Sequence, residues 1–220
     1  MAETSMVREE RQISIEGENS HHLSLQTQSM GMWVFLMSEI MFFGAVFAAY
    51  ILYRYAYPQV FEEASGHLLL FIGSLNTAIL LTSSLCMALA VNAAARGSSR
   101  QTVIFLLATI ILGVAFLGLK FYEYSIDFAE HIFPGGNFQY SGSDPARAKI
   151  FFSLYFTLTG MHAVHMIIGI FLITGLTIFA WKKKFSAEHY APVEMIGLYW
   201  HFVDIVWIFI FPLMYLVGHK

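Results

Sequence analysis

The segment Ala191–Gly218, APVEMIGLYWHFVDIVWIFIFPLMYLVG, decides how this chain folds. It is apolar enough to cross a bilayer, which takes about 20 such residues in a helix. Yet Glu194, His201 and Asp204 lie inside it. At about 100° per residue, Glu194 and His201 fall within roughly 20° of each other, and Asp204 lies about 80° round from Glu194. The three form one polar stripe on a greasy rod. Ionisable groups in hydrocarbon are costly, so such a stripe faces protein or water and marks function.

Four earlier stretches have the same character: about Met30–Tyr53, Leu68–Ala93, Val103–Tyr124 and Ala148–Trp181. With a fifth over Pro192–Val217, the expectation is an all-α membrane protein, a bundle of five transmembrane helices. The runs are continuous rather than alternating, which argues against strands. Composition agrees: of 220 residues, 57% are hydrophobic and only 12% charged, too apolar for a soluble domain. The fourth run is too long for a simple crossing. Asp144-Pro145 reads as an N-cap followed by proline at the first helical position, so this helix starts above the membrane.

Residues 1–28 are polar and acidic and lack the basic start and apolar centre of a signal peptide. They are expected to be a tail, with 29–220 as the five-helix domain. Positive charge near the spans sets orientation. Arg8, Arg11, Arg96, Arg100 and Lys182–Lys184 gather on one side; Arg54, Arg147, Lys149 and Lys220 lie on the other. The N-terminus is therefore expected inside and the C-terminus outside. Trp33 and Trp181 would mark the inner interface, and Tyr53, Tyr55, Tyr122 and Tyr215 the outer one.

Net charge is −3, which gives no reason to expect a nucleic-acid partner. The single cysteine, Cys86, excludes an internal disulfide and a cysteine-ligated cluster. No phosphate-binding loop or dinucleotide fingerprint occurs.

Several polar residues fall within the other spans. Glu39, in the first, is followed by Gly44, Ala45, Ala48 and Ala49, which let another helix approach closely. A carboxyl here must be neutral or held by a partner, since an isolated buried charge is costly. It is either proton-linked and regulatory or a structural acid. On the second span Asn76 and Ser83 share a face, bordered by Thr77, and read as hydrogen-bonding glue. On the third, Lys120 and Glu123 read as an ion pair at the interface. The fourth carries His162 and His165. These could meet His201 as haem ligands, or serve interhelical hydrogen bonds. No Glu-x-x-His pair occurs within the spans, which disfavours a bridged di-metal site. Lys182, Lys183 and Lys184 are candidates for anionic lipid headgroups.

Four motifs carry a resemblance. They are Ser38-Glu39 with Met41-Phe42-Phe43-Gly44; Leu75-Asn76-Thr77 with Leu80-Leu81-Thr82-Ser83; Glu123-Tyr124 with Thr159-Gly160-Met161-His162 through His165 to Gly169; and Tyr199-Trp200-His201-Phe202-Val203-Asp204-Ile205-Val206-Trp207. Together, in this order, they resemble subunit III of the haem–copper cytochrome oxidases. The resemblance implies the short five-helix bacterial form of a family whose longer form has seven helices. The longer form holds phospholipid in a V-shaped cleft between its first two helices and the rest; this chain lacks those two.

The resemblance further implies a non-catalytic subunit of a proton-pumping terminal oxidase in the bacterial cytoplasmic membrane. It would carry no cofactor of its own beyond bound phospholipid, with haem and copper in the partner catalytic subunit. Partners would be the catalytic subunit I, subunit II and small subunits, and a respiratory supercomplex is compatible with the same reading. Glu39 matches the family's carbodiimide-reactive glutamate and would tune proton uptake. Asn76, Glu123, His162, His165, Glu194, His201 and Asp204 would form a polar core with lipid contacts. Two alternatives stand beside this: an accessory subunit of a nitric oxide reductase system, and a b-type haem protein using His162 and His201.

Overall fold

The computed structural model describes residues 30–136, 138–181 and 190–218. The tail expected over 1–28 and the lysines at 182–184 lie outside these. Among the described residues all regular structure is helical, and five helices are long and apolar enough to cross a membrane. They are α1 (Met30–Ala56), α3 (Leu70–Ala95), α4 (Ser99–Ala129), α5 (Pro145–Trp181) and α6 (Ala191–Tyr215). A short helix, α2 (Pro58–Ser65), stands where the sequence reads as a loop. It starts with Pro58 in the first turn and buries Val60, Phe61 and Ala64 on one side. Phe61 packs on Tyr50 and Phe151 at ring distances of 5.5 and 5.3 Å.

The chain divides into two compact units, Met1–Ile40 and Met41–Lys220. In the first, the described residues are the opening turns of α1, where Met30, Trp33, Val34, Met37 and Ile40 are exposed. In the second, α3 packs on α4, α4 on α5, α5 on α6 and α6 back on α3, closing a four-helix bundle. The later part of α1 lies on α5 and α6. Phe43 meets His165 and Phe202, and the Tyr50 hydroxyl donates to the Leu213 carbonyl.

Local chemistry explains the helix ends. Asp144 caps α5 as expected: its Oδ1 accepts from the Arg147 amide at 3.1 Å, with Pro145 next in line. The Asp144 carboxylate also pairs with the Arg147 guanidinium at 2.8 Å. Asp144→Ala should cost about 1 kcal/mol of stability, read as a lower melting temperature; an unchanged one would show that the cap is redundant.

α3 ends in a reciprocal pair of bonds, Ser98 N–H to the Ala93 carbonyl and Gly97 N–H to that of Ala94, with Gly97 at φ 71°. α4 ends the same way with Ile132 to Asp127 and His131 to Phe128. Here His131 takes the left-handed conformation at φ 57°, and Ile132 is buried. This extension carries α4 past Tyr124, the expected end of the third span, and so brings Asp127 into the helix. The connector beyond it is tied to α2, where Ser143 N–H and Oγ–H both donate to the Glu63 carboxylate.

Candidate functional site

Near the end of α4, Lys120, Glu123 and Asp127 recur at i, i+3 and i+7, one face of a helix. That face turns into the bundle. Lys120 and Glu123 are 2% and 1% exposed, so this is not the interfacial pair expected from sequence. The reason is packing. Tyr155 of α5 and Tyr215 of α6 close over the two charges and replace water with hydroxyls.

The ammonium has three N–H groups and three partners: Glu123 Oε2 at 3.0 Å, Tyr155 Oη at 2.9 Å and Tyr215 Oη at 2.5 Å. Each tyrosine passes its own proton on to Glu123 Oε1, at 3.0 and 2.8 Å. Tyr155 also faces Asp127 Oδ2, but at a longer 3.4 Å. The ring of Tyr155 sits 4.6 Å from the ammonium, adding a cation–π contact. Burying two ions costs several kcal/mol each, and only geometry this complete offsets it.

Gly73 of α3 lets Tyr215 into place, since a Cβ there would come within 2.8 Å of its ring. Alongside, Thr159 donates to the Tyr155 carbonyl at 2.6 Å. Its one proton is thereby used, so the Tyr124 hydroxyl donates to Thr159 Oγ1, also at 2.6 Å. Tyr215 is thus part of the interior, not of an outer aromatic belt. Tyr53, Tyr55 and Tyr122 are exposed, as a belt requires.

The stripe on α6 is divided by the structure. Asp204 is buried, His201 is half-buried and Glu194 is exposed. His201 Nδ1 bonds Ser84 Oγ of α3 at 2.7 Å. Ser84 also stands beside the Asp204 carboxyl, but its hydroxyl is engaged by His201, and neither Asp204 oxygen has a hydrogen-bond partner among the described residues. Two further ties of α6 to α3 come from indoles, which carry no charge. Trp200 Nε1–H donates to Ser83 Oγ at 3.2 Å, and Trp207 Nε1–H to Thr77 Oγ1 at 3.1 Å. Ser83 and the bordering Thr77 thus supply the hydrogen-bonding glue expected of the face that Asn76 and Ser83 share. Asn76, beside them, is fully buried, with no hydrogen bond from its amide to another described residue.

His162 and His165 do not share surroundings. His162 is fully buried, its ring 5.4 Å from Phe116 and 5.1 Å from Trp207. His165 is half-buried. Its Nδ1 bonds the Met161 carbonyl at 2.8 Å, and its own carbonyl accepts from the Tyr199 hydroxyl at 3.0 Å. Glu39 is of intermediate exposure on α1.

The arrangement thus joins Glu123, Lys120, Tyr155 and Tyr215 into one buried network, bonds His201 to Ser84, buries Asp204 beside that pair and leaves Glu194 outside. Lys120, Asp127, Tyr155 and Tyr215 are not among the site residues expected from sequence. The i, i+3, i+7 spacing on α4 is the signal that adds Asp127 to Lys120 and Glu123, and ending the third span at Tyr124 hides it; no spacing in the sequence points to Tyr155 or Tyr215, which come from other helices. Chemically the network holds three helices in register and contains no activated nucleophile.

A family model described as "Cytochrome c oxidase subunit III" matches residues 2–219. Among curated proteins, the chain is 31% identical over 220 residues to a cytochrome c oxidase subunit 3 of Bacillus sp. (strain PS3), covering 99% of this chain and 95% of that one. It is 33% identical to quinol oxidase subunit 3 of Bacillus subtilis (strain 168), over 86% of each. It is 34% identical to cytochrome bo(3) ubiquinol oxidase subunit 3 of Pseudomonas aeruginosa, over 86% of this chain and 84% of that one.

Proposed function

Since the chain belongs to the cytochrome c oxidase subunit III family of the haem–copper oxidases, we propose that it braces the catalytic subunit of a proton-pumping terminal oxidase, binds phospholipid and supports proton uptake. It is an integral membrane protein and a non-catalytic member of its complex. Oxygen is reduced in another chain, which holds the haem and copper. The observation that carries this is the family match over nearly every residue, on a chain with five spans. The relatives are oxidase subunits, and the readings as a nitric oxide reductase accessory or a haem protein draw no support from them.

The finer assignments rest on placement. α1 is the least covered of the five spans, and Met41, Phe42, Ile51, Leu52 and Tyr55 stand exposed along it. It is the span with most surface left for the catalytic subunit or lipid. Glu39 lies on this helix and acts as the proton-linked carboxyl. Subunit II and smaller subunits complete the assembly in a bacterial cytoplasmic membrane, with the N-terminus inside. Lys182–Lys184, outside the described residues, remain the proposed contacts for anionic headgroups by their sequence alone.

Mild-detergent purification and identification of what accompanies the chain tests the main reading; a haem- and copper-bearing subunit I is expected, and its absence would overturn it. Glu39→Gln should leave that complex intact while changing proton uptake or shortening the active lifetime during turnover. Loss of the chain from the complex would make Glu39 structural instead.

A further inference from the structure

A groove of about 470 Å³ runs between the start of α4 and the end of α5. Val103, Ile104 and Leu107 form one wall, Ala180 and Trp181 the other, and Arg100 stands at its mouth. We propose that this groove holds one acyl chain of an anionic glycerophospholipid, with the phosphate on Arg100. The inference deepens the phospholipid binding proposed above and rests on that reading, naming the groove and the headgroup class.

Position comes first. Arg100 sits in the first turn of a spanning helix, the depth at which headgroups lie, while the groove descends along Val103, Ile104 and Leu107 into the hydrocarbon. Ile104 and Leu107 are 54% and 43% exposed. A lipid reaches this face from the side; a water-soluble ligand would have to cross hydrocarbon. Trp181, at the far end of α5, is 77% exposed. An indole at that level suits the interface between chains and headgroups.

Charge decides the lipid class. Arg100 makes no ion pair or hydrogen bond among the described residues, and its fork of donors matches the oxygens of a phosphodiester. The first turn of α4 carries no acidic side chain, and Ser98 makes no side-chain cap bond, so the opening amides add positive potential at the same place. Arg96 is exposed on the preceding turn. A zwitterionic headgroup would bring an ammonium into this positive field; an anionic one brings none.

The test uses the complex purified in mild detergent, exposed to phosphatidylglycerol and phosphatidylcholine and read by native mass spectrometry. Wild type, R100Q and L107W are compared. Wild type should retain one phosphatidylglycerol more than L107W, whose indole fills the groove. R100Q should lose about fivefold of the preference for phosphatidylglycerol over phosphatidylcholine. Arg100 is exposed, so R100Q keeps the test open if L107W fails to assemble. Equal lipid content and preference in all three would overturn the proposal. So would loss of a neighbouring subunit rather than a lipid from L107W, or lipid loss confined to a K182Q/K183Q/K184Q variant. Which subunits accompany the chain is read in the same spectra, so failure of the oxidase reading shows separately.

Discussion

Glu123→Leu should strip the chain from its complex, or lower its melting temperature more than the loss of any single helix cap or neutral hydrogen bond. The substitution leaves the Lys120 ammonium buried with two neutral hydroxyls and no paired counter-charge. It also takes away the acceptor to which both Tyr155 and Tyr215 donate. Breaking a buried pair by removing one partner costs about 3–5 kcal/mol, a large share of a typical stability of about 5–15 kcal/mol. Lys120→Met should fall in the same range, because Glu123 then lacks its cation.

The double variant distinguishes a charge effect from a packing effect. Replacing a whole buried pair by apolar residues of similar volume is often neutral. Lys120→Met with Glu123→Leu should therefore recover most of the loss, leaving the cost of two less well-bonded tyrosines. The measurement is thermal denaturation of the purified complex, with retention of the chain read alongside. Additive losses in the double variant would show that the two charges act independently and that the network does not lock the three helices together.

The second large effect concerns Trp200. This indole is fully buried and lies between Gly113 of α4 and Gly169 of α5. A Cβ at Gly169 would come within 2.8 Å of its ring, and one at Gly113 within 2.9 Å. Real contacts are never so short, so something must move. Gly169→Val forces either α5 away from α6 or the indole off its bond to Ser83. Overpacking of this kind costs about 1–3 kcal/mol, and the lost hydrogen bond about 1 kcal/mol more. Gly160→Ala, on the same helix but with open space beside it, should be neutral and serves as the control. Trp200→Phe should relieve part of the Gly169→Val defect by freeing volume, a coupling that distant sites do not show. Equal stability of Gly169→Val and Gly160→Ala would remove the role assigned to close helix approach.

Both effects involve residues quoted from the sequence, yet the contacts behind them were not legible there. The reading of Lys120 and Glu123 shows why. Their spacing gives a pair on one helix face, but a pair at the interface and a pair in the interior look alike in one dimension. Only the arrival of Tyr155 and Tyr215 tells them apart, and those hydroxyls lie far along the chain; Tyr215 is 95 residues from Lys120. The stripe of Glu194, His201 and Asp204 shows the same limit from the other side. The angles around α6 follow from helical geometry. Which part of that arc meets α3 depends on how the rod is rotated, and Trp200 and Trp207 set the rotation by docking on Ser83 and Thr77. Asp204 is carried inward and Glu194 outward as a result.

What the sequence determined alone is everything that local energetics govern. Five apolar runs make five spans because a bilayer core admits only chains that satisfy their own backbone hydrogen bonds. Asp144 and Pro145 start α5 because a carboxylate and a missing N–H suit the first turn of any helix. The four motifs identify the family because their residues stand in order along one chain. Tertiary structure alone decided burial and partnership. It moved Tyr215 from a membrane belt into an ion-pair network, split the polar stripe of α6, and set Arg100 at the mouth of a groove shared with α5. Such outcomes depend on distances between helices, and those arise only once the small residues at Gly73, Gly113 and Gly169 let large aromatic rings settle against them.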